Sequence, residues 1–157
     1  MLIFIQLKPI FHVICREYHI KTKTTEVKGS NKKTIHILLA EDEDIYQEVI
    51  ERYINTMGLH LTIVDNGKKC IEEAKESSFD IILMDIEMPE KNGIETTREI
   101  RKRGINIPII AVTANTWKED KINSIKSGMN DFLAKPFDLR KFSRMINYWT
   151  ERSSTIA

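Results

Sequence analysis

Two nearly continuous apolar runs constrain this chain more than any other feature: FDIILM at 79–84 and IPIIAVT at 107–113. A run of this length that is apolar at consecutive positions fits a strand buried on both faces, as in parallel sheets. Three further short runs, IHILLA (35–40), HLTIV (60–64) and DFLA (131–134), fit the same role. Between them the period changes. Over 44–57, Ile45, Val49, Tyr53, Ile54 and Met57 fall on one helical face, with Asp44 as N-cap and Gly58 as the stop. Asn66-Gly67 opens a helix carrying Cys70, Ile71 and Ala74. Gly93 to Arg103 is a helix with Ile94, Thr97 and Ile100 inward. Residues 117–127 form a polar helix carrying Ile122 and Ile125, closed by Gly128. Asp138 caps a last helix striped by Leu139, Phe142, Met145, Ile146 and Trp149. The order is βα repeated five times. Such alternation implies an α/β fold with parallel strands, right-handed crossovers and helices on both faces. Ligands then bind beyond the carboxyl ends of the strands.

The 157 residues fit one domain, and the balance of 41% hydrophobic and 30% charged excludes disorder, collagen and coiled coil. A net charge of +1 makes no case for bulk nucleic-acid binding. Cys15 and Cys70 stand far apart in no CxxC pattern, which suits a reducing, cytoplasmic setting. The charge is uneven: residues 1–34 carry +5 and the remainder −4. We therefore expect a basic, partly apolar leader and flexible linker over 1–34, a folded domain over 35–152 and a tail at 153–157. Gln6, Lys8, Pro9, His12 and Arg16 interrupt the apolar start, which argues against both a membrane span and an export signal. A translation-start artefact is the alternative origin for the leader.

The residues at the strand ends are Glu41, Asp42, Asp85, Thr113 and Lys135. The topology brings them to one rim. Carboxylates crowded to ~4 Å repel by on the order of 4 kcal/mol per pair at an effective dielectric near 20. A cation must answer them. An all-oxygen donor set with few protein ligands suits Mg²⁺, with Mn²⁺ as the substitute. Lys135 adds a movable positive charge. A carboxylate placed beside a divalent metal and an ammonium is a good phosphoryl acceptor.

The segments LLAEDED, LMDIEMPEKNG, AVTANT and MNDFLAKPF, in that order, resemble the receiver domain of two-component response regulators over roughly 35–150. In flavour they are nearest the receivers of hybrid histidine kinases. The resemblance implies a flavodoxin-like (βα)5 sheet of strand order 2-1-3-4-5. It implies Asp85 as the phosphorylated aspartate, Asp42 as the main Mg²⁺ ligand, and Glu41 as its acidic neighbour acting through water. The backbone carbonyl of Glu87 would complete the metal shell. Lys135 would contact the phosphoryl group, its bond to Pro136 being cis. Thr113 would be the switch hydroxyl and Phe132 the switch aromatic, a position often tyrosine in relatives. Glu87 and Asn115 would tune dephosphorylation. The implied partners are a sensor histidine kinase, a histidine phosphotransfer protein, or both, with homodimerisation on phosphorylation left open. Few residues follow Trp149, so partner binding or phosphate relay is expected instead of an attached output domain.

Two other classes compete. A haloacid-dehalogenase-like phosphohydrolase also uses an aspartate, an acid two positions later, a threonine and a lysine. It places its nucleophile on the first strand and its acidic pair late, the reverse of this order, and no substrate cap is evident. A phosphate-independent binding module on the same scaffold would not need the intact acid–lysine set. Neither GxGxxG nor a P-loop occurs. Other residues read as structural: Cys70 as a buried small hydrophobe, Arg101-Lys102-Arg103 as a helix C-terminus favoured by its dipole, and Trp117 as either local packing or a partner surface.

Overall fold

The computed structural model describes residues 34–76, 79–114 and 118–153. The leader, the tail beyond Ser153, Asn115 and Trp117 lie outside the described residues. Five strands, β1 (His36–Ala40), β2 (His60–Val64), β3 (Ile81–Asp85), β4 (Ile109–Thr113) and β5 (Asp131–Ala134), form one parallel sheet. Its order is β2-β1-β3-β4-β5, as the resemblance implied. The helices are α1 (Asp44–Met57), α2 (Gly67–Glu73), α3 (Gly93–Lys102), α4 (Lys118–Ser127) and α5 (Leu139–Ser153), with a 3₁₀ turn at Ala74–Glu76 after α2.

The pleat sorts each strand between two cores. Leu38 and Ala40 of β1, Ile82 and Met84 of β3, and Ile109 and Ala111 of β4 meet Cys70, Ile71 and Ile100 from α2 and α3. Their neighbours Ile37, Leu39, Ile81, Leu83, Ile110 and Val112 meet Ile50 and Ile54 of α1 and Phe142 and Ile146 of α5. Every residue of β3 and β4 is buried, which is why their sequences read as continuous apolar runs.

Several details depart from the sequence expectation. Helix α1 begins with Asp44, and Glu43 is its N-cap with no side-chain cap bond. Asp44 instead lends its charge to the first turn, where the helix dipole favours an anion. Ile45 is half-exposed, and Ile50 and Ile54 are the buried residues of α1. Ile50 and Ile54 enter the sheet-side core, and Tyr53 and Met57 pack against it. In α4, Ile122 and Ile125 are exposed while Ser124 and Ser127 are buried. Both serines satisfy their hydroxyls within the helix, on Asp120 O at 2.7 Å and Ser124 O at 2.6 Å, so they can be buried without an orphaned donor. Arg101 does more than favour the dipole of α3. Its guanidinium donates to Ile105 O (2.7 Å), Gly128 O (3.0 Å) and Asn130 Oδ1 (2.9 Å), tying α3 to the loop between α4 and β5. Asn66, Asn92 and Asp138 cap α2, α3 and α5 through their side-chain oxygens. Gly58 closes α1 at φ 68°, the left-handed conformation that suits glycine.

Candidate functional site at the strand ends

Pleat parity also builds the site. Glu41 follows β1, Asp85 ends β3 and Lys135 follows β5. Counting alternately from Leu39, Leu83 and Leu133, all three belong to the sheet face covered by α1 and α5. Thr113 and Phe132 have the opposite parity, in step with Ala111 and the α2–α3 core. Two groups of candidate residues therefore approach the rim from two sides.

Lys135 joins the acids. Its Nζ donates to Glu41 Oε2 at 2.6 Å and to Asp85 Oδ2 at 2.8 Å. Glu41 is fully buried, and Asp85 and Lys135 are each 6% exposed. Asp42 is exposed, yet it offers a carboxylate oxygen that lies, with those of Glu41 and Asp85, within a 4.8 Å cluster. Burial pushes the Glu41 carboxyl from 4.5 up to about 8, against the pull of the Lys135 hydrogen bond. Burial pulls the Lys135 ammonium down, but the hydrogen bonds and charges of Asp85 and Glu41 outweigh it and leave its pKa raised.

These residues fit a divalent metal. Three carboxylates converge, and Glu41 Oε1 is buried with no hydrogen-bond partner. An orphaned buried carboxylate oxygen beside two other acids is an acceptor awaiting a cation or its water.

The remaining candidates fall around this centre. Thr113 is buried at the end of β4, and its carbonyl accepts the Lys135 amide at 2.8 Å. Phe132 is partly buried against the α2–α3 core. Glu87 is exposed, while its amide donates to Asp85 Oδ1 at 3.2 Å. The Lys135–Pro136 bond is cis, as the resemblance implied. Gly93 has a steric role. A Cβ there would lie 2.1 Å from the Asp85 carbonyl oxygen and 2.9 Å from Met84 Cγ, so only glycine lets α3 start against β3. Gly93 N–H also donates to Ile86 O at 2.9 Å, closing the Asp85 loop.

Two site residues were not singled out from the sequence. Tyr46 lies under Lys135, with Nζ 4.0 Å from the ring centroid. Gln47 Nε2 donates to Glu41 O at 2.7 Å, pinning the acidic turn to α1. The only available signal was their distance of four and five residues from Asp42, in the first turns of the following helix.

The family profile for the response regulator receiver domain matches residues 37–147. The chain belongs to this family. This membership takes the place of the haloacid-dehalogenase alternative. The receiver is 37% identical over 131 residues to Hybrid signal transduction histidine kinase I of Dictyostelium discoideum, spanning 78% of this chain. It covers 8% of that protein's length. Among solved structures it resembles the receiver domain of the Pseudomonas aeruginosa PAO1 sensor histidine kinase PA1611, which has a magnesium ion coordinated in its active site cleft. The TM-score is 0.71 at 39% identity, over 75% of this chain and 98% of that one. It also resembles the co-crystal structure of the Saccharomyces cerevisiae histidine phosphotransfer protein Ypd1 with the receiver domain of its downstream response regulator Ssk1. Here the TM-score is 0.70 at 28% identity, over 74% of this chain and 89% of that one. Among the described residues of this receiver, no helix is long and apolar enough to cross a membrane.

Proposed function

We propose that this receiver takes a phosphoryl group from a phosphohistidine onto Asp85 and passes the signal on by relay or by partner binding. The observation that carries this reading is the Lys135 ammonium held between Asp85 and Glu41 inside a cluster of three acids. Asp85 is the acceptor. One of its carboxylate oxygens forms the new bond to phosphorus as the donor's phosphorus–nitrogen bond breaks, and the imidazole leaves with the electron pair. Lys135 neutralises charge on the phosphoryl oxygens, since its Nζ already sits 2.8 Å from an Asp85 oxygen. Asp42, Asp85, Glu41 and the Glu87 carbonyl would hold Mg²⁺, or Mn²⁺ in its place. Bound there, the metal supplies charge neutralisation for the transferring group and for the crowded acids.

Thr113 and Phe132 form the switch. They share the sheet face of α2 and α3, so a movement of Thr113 toward a phosphorylated Asp85 changes packing around Phe132 and beside α4. Glu87 and Asn115 tune the phosphoryl lifetime. The donor is a sensor histidine kinase or a histidine phosphotransfer protein, and the reaction places the receiver in the cytoplasm with them. The similarity to a hybrid kinase and to the Ypd1–Ssk1 receiver complex supports this class of partner. The receiver catalyses only its own phosphorylation and dephosphorylation, with the phosphohistidine as donor.

The test is intact mass after treatment with acetyl phosphate and Mg²⁺, for the wild type and for Asp85→Ala. One phosphoryl group, labile to base and present only in the wild type, is expected. An adduct that persists in Asp85→Ala would overturn the assignment.

A further inference from the structure

We propose that Tyr46 is a positioning residue for phosphoryl transfer, using its ring face to hold the Lys135 ammonium against Glu41 and Asp85. This rests on the phosphoacceptor reading of Asp85.

An ammonium has three N–H groups. At Lys135, two of them reach Glu41 Oε2 at 2.6 Å and Asp85 Oδ2 at 2.8 Å. The Tyr46 ring meets the same nitrogen, with its centroid 4.0 Å away. The negative face of an aromatic ring attracts a cation at such distances, most strongly where water is excluded. The Lys135 side chain is only 2% exposed, so this contact lies in such a place. A lysine has a long flexible stem, and its usefulness at a phosphoryl group depends on where its head is held. The two carboxylates hold it through hydrogen bonds. The ring adds a restraint that does not compete with the phosphoryl oxygens for hydrogen bonds.

The chain places this ring economically. Lys135 lies on the α1 side of the sheet by parity, and α1 starts two residues after Asp42. Tyr46 thus lies in the first turn of α1, four residues after Asp42. Gln47 fixes that turn by donating to Glu41 O at 2.7 Å. A leucine at 46 would fill much of the space but offer no ring face. A phenylalanine would keep the face and lose only the hydroxyl. The contact therefore separates bulk from electrostatics.

The experiment uses the full chain as wild type, Tyr46→Leu and Tyr46→Phe. The first readout is the Lys135 ε-methylene proton shift by NMR in EDTA. An upfield ring-current shift is expected in the wild type and Tyr46→Phe, and its loss in Tyr46→Leu. The second is the initial rate of phosphoryl uptake from acetyl phosphate at saturating Mg²⁺. Tyr46→Leu is expected to slow it about fivefold, and Tyr46→Phe to rescue it. Mg²⁺ affinity, read from the thermal shift, should be equal in all three, because the acids are untouched. Equal rates in wild type and Tyr46→Leu would overturn the proposal while leaving Asp85 as acceptor. So would a Tyr46→Leu rate loss accompanied by weakened Mg²⁺ binding, which is the mark of a disordered site. A wild type that takes no phosphoryl group would refute the phosphoacceptor reading itself, and the positioning role with it.

Discussion

Replacing Lys135 with methionine should expose how strongly the acid cluster opposes itself. The stem volume is kept and the charge is lost. In the native protein Lys135 bonds Glu41 Oε2 at 2.6 Å and Asp85 Oδ2 at 2.8 Å, and both acids are nearly or wholly buried. Without it, carboxylate oxygens that lie within 4.8 Å of one another face each other unanswered. At that separation and an effective dielectric near 20, one pair of unit charges repels by about 3–4 kcal/mol. This agrees with the ~3–5 kcal/mol lost when one partner of a buried ion pair is removed. For a domain of this size the midpoint should fall by up to roughly 15 °C in EDTA at pH 8.5, the full value applying when Glu41 stays ionised.

The loss should depend on pH with a definite sign. Glu41 binds its proton more tightly in the native state, at about 8, than at its ordinary 4.5. A carboxyl whose pKa is raised by folding makes stability fall as pH rises through that window. Removing Lys135 also removes the group that pulls the Glu41 pKa down, so proton uptake relieves the variant more than the wild type. The penalty should therefore shrink toward pH 5. Millimolar Mg²⁺ should restore part of it at pH 8.5 by supplying the missing charge. Urea melts of both proteins at pH 5.5 and 8.5, with EDTA or Mg²⁺, measure all of this. A loss under about 1 kcal/mol at pH 8.5, or the same loss at both pH values, would refute the reasoning.

Three further outcomes follow from the same geometry. Asp42→Ala should raise the thermal midpoint in EDTA, by up to about 1–2 kcal/mol of relieved repulsion, and abolish the stabilisation by Mg²⁺; an unchanged or lower midpoint in EDTA counts against a clustered site. Gly93→Ala should cost about 3 kcal/mol or more in a urea melt and reduce phosphoryl uptake, because its Cβ would lie 2.1 Å from the Asp85 carbonyl oxygen. Thr97→Val should stabilise by about 1 kcal/mol, since the Thr97 hydroxyl is fully buried with no hydrogen-bond partner; a lower urea midpoint would show that the hydroxyl is paired in solution.

Most of the architecture was legible in the sequence because it is written in local periods. Five apolar runs alternating with helical stripes leave few arrangements other than a parallel sheet covered on both faces, and the acids and lysine stand where such strands end. Asp85, Asp42 and Lys135 could be singled out because strand-end placement depends only on chain order. Glycine at 93 was legible as part of a motif, but its reason was not. That reason is a steric contact with β3.

Other features belong to the tertiary structure alone. Residues 94 apart bring Lys135 to Glu41, and residues 50 apart bring it to Asp85. No local pattern encodes which oxygen it meets, or that Glu41 is wholly buried with one oxygen left unpaired. The rotation of α1 about its axis turned Ile45 outward and Tyr46 toward Lys135, a choice between neighbouring residues that hydrophobicity does not resolve. The burial of Ser124 and Ser127 in place of Ile122 and Ile125 has the same origin. A sequence fixes the spacing of side chains along an element. How that element is turned against its neighbours is decided by close packing, and that turn determines which side chains touch.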